Sequence, residues 1–307
     1  MSLDPQVAAL LDTLDAGFPA VHTMTGAEAR AAIRGRFVPN PSPEPVADVT
    51  HRDVPVEGGS VVVRIYRPEA AGDLPILVYA HGGGFVFCDL DSHDGLCRSI
   101  ANLIPAVVIS VAYRLAPEHV WPTAAEDVYA VTRWACRQAP TFGGDAGRIV
   151  VGGDSAGGNL AAVTALMARD RGGPRLAGQL LVYPVLAADF ETASYRLFGN
   201  GFYNPKPALQ WYWDQYVPTC SDRKHPYASP INARLNGLPP AVVVVAGHDP
   251  LRDEGIAYAD ALASAGVPTI RCPFEGAIHG FLTMPMLDLA HAARRCIGRE
   301  LGGWLGG

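Results

Sequence analysis

The sequence predicts an α/β fold in which a mostly parallel, eight-stranded sheet is flanked by helices. Beyond about residue 45, short apolar runs alternate with helical segments along the chain. Compact runs rich in Val, Ile and Leu are typical of parallel strands that are buried on both faces. Because parallel strands are joined by right-handed helical crossovers, this alternation indicates a sheet with helices packed on it.

Eight segments have the composition of strands. The first two, 47–56 and 60–68, flank Glu57-Gly58-Gly59 and predict a β-hairpin, since the second alternates in polarity with period two. The remaining strands are predicted at 75–80, 106–113, 148–154, 178–184, 241–247 and 268–274.

Five helical segments separate these strands. Thr123 is an expected N-cap for the second helix, and Gly266 is expected to end the fourth, because glycine readily adopts the left-handed conformation that closes a helix. The helices are predicted at 92–104, 123–139, 156–171, 252–266 and 286–301.

Two segments, 1–45 and 185–217, do not fit the alternation. The first holds two predicted helices and a proline-rich linker, and the second holds an aromatic helix around Trp211 and Tyr212. One N-terminal helix has four apolar residues on a shared face: Val7, Leu10, Leu11 and Leu14. We expect the two segments to form a helical cap over an α/β domain at 46–307. The alternative is that the N-terminal helices only pack on the flank of the sheet.

Composition excludes several classes of function. The 307 residues have a net charge of −6 and no basic run, which argues against nucleic-acid binding and against a polyanionic substrate. The N-terminal stretch lacks the basic region of a signal peptide, and no run approaches the roughly 18 apolar residues of a membrane helix. We therefore expect a cytoplasmic protein, with no membrane partner, that acts on a neutral small molecule.

The cysteines do not form a recognisable framework. Six are scattered without a CxxC pair, and in the absence of a secretory signal we expect reduced thiols. They are Cys88, Cys97, Cys136, Cys220, Cys272 and Cys296.

A nucleophile motif lies between a predicted strand and a predicted helix. Gly153-Asp154-Ser155-Ala156-Gly157 fits G-x-S-x-G, directly after RIVV and directly before a helical run. At such a turn the serine is held in a strained conformation, so small residues are needed two positions before and after it. The context predicts that Ser155 is a nucleophile at the carboxyl edge of the sheet. It does not fit the G-x-G-x-x-G pattern of dinucleotide binding.

A glycine loop follows another strand at 81–85. Its three glycines allow a tight turn with unobstructed N–H groups, as an oxyanion-binding site in acyl transfer requires. The alternative, a phosphate-binding loop, calls for a Lys-Ser/Thr pair where Phe85 and Val86 stand. We therefore predict the N–H groups of Gly83, Gly84 and Ala156 as oxyanion donors. His81 precedes the glycines and is expected to order the loop by hydrogen bonding to the backbone.

A nucleophilic serine also needs a base and an acid that orients the base. In the order Ser, Asp/Glu, His, the candidates are Asp249, at the end of a strand, and His279, in a loop after the last strand. Less well placed competitors fall on helices or in a polar loop: Asp253, Glu254, His225 and His291.

These motifs resemble the hormone-sensitive-lipase-like esterases, the bacterial family IV lipolytic enzymes of the α/β-hydrolase superfamily. The likeness extends from about residue 45 onward and rests on five motifs: HGGGF at 81–85, YRLAPEH at 113–119, GDSAGGNLA at 153–161, DPLRDEG at 249–255 and HGF at 279–281. The N-terminal helices are similar to the cap segment of that family.

The resemblance implies a serine carboxylesterase that hydrolyses short- to medium-chain acyl esters through an acyl-enzyme, without a metal or an organic cofactor. It also implies the Ser155–His279–Asp249 triad and a homodimer through the last strand, 268–274. We expect Phe85, Trp211 and Tyr212 either to line the substrate pocket or to form the core of the cap. The alternatives are an amidase, deacetylase or carbamate hydrolase with the same triad, a lipase acting at interfaces, and a non-catalytic receptor, which typically lacks the triad histidine.

Overall fold

The molecule is built around one twisted sheet. The structure, a computed structural model, describes residues 2–305. Its strands are β1 (Asp48–Val56), β2 (Gly59–Arg67), β3 (Leu74–Ala80), β4 (Val107–Val111), β5 (Gly144–Asp154), β6 (Gly178–Val182), β7 (Ala241–His248) and β8 (Thr269–Ile278). They lie in the order β1-β2-β4-β3-β5-β6-β7-β8, in which β2 runs antiparallel to β1 and β4 and all other neighbouring pairs are parallel. The predicted eight-stranded, mostly parallel sheet is confirmed.

The composition of the strands explains where they lie. Every residue of β3, β4, β6 and β7 is buried, as expected for parallel strands covered on both faces. The predicted hairpin is confirmed: Val56 of β1 pairs with Gly59 of β2 across a two-residue turn.

Helices cover both faces of the sheet. One face packs against α4 (Thr123–Gln138), α5 (Ala156–Asp170) and α8 (Arg252–Ser264), and the other against α3 (Asp94–Leu103) and α9 (Asp288–Leu305). The five predicted helices are therefore present, with ends shifted by a few residues. Among residues 2–305, no helix has both the length and the apolar character that crossing a membrane requires.

Two helix ends show where local prediction succeeds and fails. Gly266 follows α8 with a φ of +77°, and its N–H donates to the carbonyl of Ala263 at 3.0 Å, so it closes the helix as predicted. The expectation that Thr123 caps α4 is wrong. Thr123 is the first helical residue, and Pro122 occupies the N-cap position without a side-chain hydrogen bond.

The last strand is longer than the sequence indicated. β8 continues to Ile278, which pairs with His248 after an irregularity in the register. Glu275 and Gly276 interrupt the apolar pattern, and for that reason the sequence alone ended the strand at residue 274. The extension brings the chain to the residue directly before His279.

The remaining helices belong to the two segments outside the alternation: α1 (Pro5–Gly17), α2 (Gly26–Arg34), α6 (Ala193–Phe198) and α7 (Lys206–Tyr216). The N–H of Asp4, the N-cap of α1, donates to the carbonyl of Gly276 in β8 at 3.0 Å. The turn Val21–Thr23 packs on α7, and the Asp15 carboxylate accepts from the N–H of Tyr203 at 3.0 Å. The N-terminal segment thus contacts both the edge of the sheet and the 185–217 segment.

Candidate active site

Ser155 lies on a sharp turn between a strand and a helix. β5 ends at Asp154 and α5 begins at Ala156, so one residue makes the connection, with φ 56° and ψ −119°. This conformation is strained for a residue other than glycine. A Cβ at Gly157 would lie 1.9 Å from the carbonyl oxygen of Ala80, and one at Gly153 would lie 2.4 Å from the same oxygen. The turn therefore requires the two glycines of the motif.

The structure brings Ser155, His279 and Asp249 together, although 124 residues separate the serine from the histidine. His279 Nε2 lies 2.9 Å from Ser155 Oγ, and Nδ1 lies 2.8 Å from Asp249 Oδ2. Because a carboxylate only accepts, Nδ1 carries the proton and the Nε2 lone pair accepts from the serine hydroxyl. Asp249 is fully buried, and its Oδ1 accepts from the N–H of Leu251 at 2.8 Å. The arrangement fixes the imidazole in the tautomer that removes a proton from serine.

The competing acids and bases have other partners. Asp253 accepts from the N–H of Ser194 at 2.8 Å, and Glu254 accepts from the N–H of Leu186 at 2.6 Å. His291 Nε2 lies 2.9 Å from the carbonyl of Pro285. His225 lies beside Trp121, with ring centroids 5.1 Å apart. None of these contacts involves Ser155.

The glycine loop leaves its N–H groups available. Gly83 and Gly84 have φ values of 112° and 59°, and a Cβ on Gly83 would lie 2.2 Å from the carbonyl oxygen of Phe87. Within residues 2–305, no hydrogen bond uses the N–H of Gly83, Gly84 or Ala156 as its donor. A substrate oxygen can therefore accept from these groups without breaking a bond in the protein.

His81 contacts its own loop. Its Nδ1 lies 2.7 Å from the carbonyl oxygen of Gly82, and its ring stacks on Tyr113 with centroids 4.4 Å apart. The Tyr113 hydroxyl donates to the carbonyl of His81 at 2.8 Å. Burial and, to a lesser extent, the neighbouring His93 lower the pKa of His81 to about 4. His81 is therefore neutral at pH 7, with Nδ1–H donated to the backbone.

The sequence did not single out a second carboxylate–histidine pair behind Ser155. Asp154 Oδ1 accepts from the Tyr79 hydroxyl at 2.8 Å and from the N–H of Gly82 at 3.1 Å, and His93 Nε2 lies 3.1 Å from the same oxygen. Burial favours a raised pKa for Asp154, but His93 and Tyr79 hold that pKa below its ordinary value. Asp154 thus joins the serine turn to the glycine loop. The only available signal was its place inside G-x-S-x-G.

Aromatic side chains of α7 lie over the glycine loop. Phe85 is 1% exposed and stacks on Tyr216, with ring centroids 3.8 Å apart and planes 8° apart. The Tyr212 ring lies so close to Gly84 that a Cβ there would be 2.5 Å from it. Trp211 is 8% exposed and packs edge-on against Tyr212. Of the three predicted pocket residues, Tyr212 is in contact with the predicted oxyanion loop, and Phe85 is packed into the layer above it.

Within residues 2–305, no group of three or more His, Cys, Asp or Glu side chains is arranged to hold a metal ion.

Comparisons with known proteins identify the family. The α/β hydrolase fold family matches residues 77–283. The carboxylic ester hydrolase LipN of Mycobacterium tuberculosis is 44% identical, over 86% of this chain and 72% of LipN. The carboxylesterase NlhH of the same species is 40% identical, over 97% of this chain and 94% of NlhH.

Solved structures agree with this relationship. A thermostable esterase from Pseudomonas putida ECU1011 superposes with a TM-score of 0.93 at 36% identity, covering 99% of this chain and 98% of that one. The family match, the relatives and the fold together leave one assignment. This chain belongs to the α/β-hydrolase family, in the hormone-sensitive-lipase-like group whose motifs it contains.

Proposed function

We propose that this chain is a carboxylic ester hydrolase in which Ser155 is the nucleophile, His279 the base and Asp249 the orienting acid. The observation that carries the proposal is the continuous pair of hydrogen bonds, 2.9 Å and 2.8 Å, from serine to imidazole to carboxylate. Relatives named as carboxylesterases, 40–44% identical over most of the chain, support the same chemistry.

In this proposal, acylation begins at the hydrogen bond between Ser155 and His279. His279 Nε2 takes the proton of Ser155 as Oγ attacks the ester carbonyl, and the Asp249 carboxylate stabilises the imidazolium that forms. The negative charge on the carbonyl oxygen is bound by the N–H groups of Gly83, Gly84 and Ala156. These donors are fixed in place before the reaction, so little reorganisation is needed as the charge develops.

Deacylation uses the same groups in reverse. His279 first donates the proton that it took from Ser155 to the departing alkoxide, which leaves as the alcohol. The acyl group then remains bonded to Ser155 Oγ. A water molecule then gives a proton to His279 and attacks the acyl carbon. Collapse of the second tetrahedral intermediate breaks the bond to Oγ, which takes the proton back from His279 and releases the acid.

Segments 1–45 and 185–217 act in this proposal as a cap that selects the acyl group. Arg30 of α2 donates to the carbonyls of Val86 and Ala116, both at 3.0 Å, which ties the first segment to the chain after the glycine loop. Tyr212 brings the second segment onto Gly84. Because the enclosing side chains are aromatic, we propose neutral, short- to medium-chain acyl esters as substrates.

Ser155→Ala tests the proposal. Turnover of p-nitrophenyl butyrate should fall by about 10⁴-fold or more, because the variant has no nucleophile, while the melting temperature changes little. A phosphonofluoridate should lose its fluoride to Ser155 Oγ and add its mass less that of HF to the Ser155 peptide of the wild type alone. Ser42→Ala, at an exposed linker position, is the matched control and should retain full activity. Full activity in Ser155→Ala would refute the assignment.

A homodimer through the last strand is part of the proposal. β8 is the outermost strand of the sheet order, so one edge of it faces no other strand within the described residues. Such an edge offers backbone groups with which a second copy can pair about a two-fold axis, over residues 268–274. Sedimentation velocity should give a species of twice the chain mass. A single species at the mass of one chain would contradict it.

A further inference from the structure

Two of the six scattered cysteines meet on the face of the sheet that α9 covers. Cys272 lies in β8 and Cys296 in α9, and their Sγ atoms are 3.3 Å apart. Cys272 is 6% exposed, whereas Cys296 is partly open to solvent. Within residues 2–305, no other pair of cysteine sulfurs lies within hydrogen-bonding distance. The fold therefore singles out one thiol pair that the sequence spacing does not reveal.

We propose that Cys272 and Cys296 form a site of reversible oxidation, at which hydrogen peroxide converts the two thiols into a disulfide that joins β8 to α9. A disulfide has a sulfur–sulfur distance of about 2.05 Å, so the two atoms need to approach by roughly 1.2 Å. A change of this size is within reach of side-chain rotation and a small shift of α9. The proposal does not depend on the esterase activity.

The surroundings of the two cysteines determine which thiol reacts with the oxidant and which one then forms the disulfide. Cys296 is the thiol that an oxidant in solution can reach, because it is partly open to solvent, and Arg299 Nη2 lies 3.7 Å from its sulfur. Burial and, to a lesser extent, the hydrogen bond with Cys296 raise the pKa of Cys272 to about 12. Cys296 therefore reacts with the oxidant, and Cys272 resolves the product.

The electrons balance over two displacements. The Cys296 thiolate attacks one peroxide oxygen, the O–O bond breaks, and a sulfenic acid and hydroxide form. The hydroxide takes the proton of Cys272, and the Cys272 sulfur attacks the sulfenic sulfur and expels a second hydroxide. That hydroxide is neutralised by the proton that Cys296 lost. Overall, two thiols and one peroxide give one disulfide and two waters.

The disulfide would enclose one residue of the predicted active site and raise the stability of the folded protein. It closes a loop from Cys272 to Cys296 that contains His279 and the turn Phe281–Thr283. A cross-link around such a loop stabilises the folded protein mainly by restricting the unfolded chain. For a closed loop of this length we expect a melting temperature about 5 °C higher in the oxidised form.

Peptide mapping of the intact, fully reduced protein tests the proposal. After the reductant is removed, a small excess of hydrogen peroxide should produce one linked pair of peptides, containing Cys272 and Cys296 and two hydrogens lighter than their sum. Thiol titration under denaturing conditions should fall from six to four. The melting temperature should rise by about 5 °C, and dithiothreitol should reverse all three changes.

Three variants sharpen the test. Cys272→Ser and Cys296→Ser should each abolish the linked peptide and the rise in melting temperature. Cys220→Ser, at an exposed position, is the matched control and should retain both. The wild-type peptide map decides the question even if a variant folds poorly. Separate Cys272 and Cys296 peptides after peroxide treatment, or a linkage between other cysteines, would overturn the proposal.

Discussion

The turn that carries Ser155 and the helix that carries Tyr212 both contact the glycine loop, but different forces hold them there. Backbone approach fixes the turn: a Cβ at Gly157 would lie 1.9 Å from the Ala80 carbonyl oxygen. Ring contacts fix the helix: Tyr216 stacks on Phe85, and Tyr212 lies against Gly84. Glycine is the only residue type that fits where a Cβ would lie 1.9 Å from a backbone oxygen. An aromatic contact, in contrast, can be made by several rings of similar volume.

The difference predicts a division of labour between the two regions. Changes in the turn, the triad or the glycine loop should act on the chemical step, because these groups touch the reacting atoms. Changes in α7 should act on which acyl group fits and on stability. The four predictions below test this division, beginning with the largest effect.

The largest effect is expected from the triad itself. His279→Ala should lower kcat by about 10⁴-fold or more, since His279 is the only base hydrogen-bonded to Ser155 within residues 2–305, and circular dichroism should remain that of the wild type. Combining His279→Ala with Ser155→Ala should cost no more than the larger single loss, because the two residues act as one unit. Losses that multiply in the double variant would mean that the two side chains act independently.

Gly84 is the point where the two regions meet. Gly84→Ala places a methyl group in the Tyr212 ring and demands a φ of 59° from alanine, so the N–H of residue 84 should shift. We expect kcat to fall by about 100-fold with a smaller change in KM, as for the loss of one oxyanion donor. Gly72→Ala is the matched control, because its φ of +79° is similar and no atom lies within 4 Å of the added methyl. If kcat falls equally in both variants, backbone strain alone explains the loss of activity.

The sequence predicted that Ser155, Asp249 and His279 lie together, because a simple rule of topology connects motif to position. Carboxyl ends of parallel strands meet at one edge of a sheet, so residues directly after β5, β7 and β8 become neighbours whatever their separation in the chain. Ser155, Asp249 and His279 each follow one of these strands. The glycine pattern then specified the one residue whose side chain points out of the turn.

Other contacts could not be predicted from a topological rule of this kind. His93 precedes α3 without any motif, yet its imidazole meets Asp154 behind the nucleophile. Cys272 and Cys296 have no diagnostic spacing and become neighbours only when α9 packs on β8. The aromatic composition of α7 predicted a helix whose rings either line the pocket or form the core of the cap, but which ring covers Gly84 depends on the crossing of α7 over the loop. Side-chain packing between distant segments leaves little trace in a single sequence.

Glu254 of α8 contacts the start of the 185–217 segment and makes stability depend on pH. Its carboxyl accepts from the N–H of Leu186, where the 185–217 segment leaves the sheet. Burial raises the pKa of Glu254 well above its ordinary value. Above about pH 5 the unfolded chain loses this proton while the folded protein keeps it, so the free energy of unfolding falls as pH rises, by at most about 1.4 kcal/mol per pH unit.

Glu254→Gln should remove this dependence while keeping the acceptor for Leu186. Urea unfolding at pH 5, 6, 7 and 8 should show the wild type losing stability relative to the variant as pH rises. Glu69→Gln, at an exposed position, should follow the wild type across the series. A constant difference between the wild type and Glu254→Gln would show that Glu254 keeps the same protonation state in the folded and unfolded chains.

The smallest effect is expected where the aromatic region meets substrate. Tyr212→Ala empties space beside Gly84 without removing any group of the triad, so longer acyl chains should gain a few-fold in kcat/KM relative to acetate. Leu209→Ala on the same helix is also a buried truncation and should lower the melting temperature in the same way. If only Tyr212→Ala changes the acyl-length profile of p-nitrophenyl esters, α7 selects the acyl group through that ring. If the two variants change the profile equally, the selection depends on the stability of the helix as a whole.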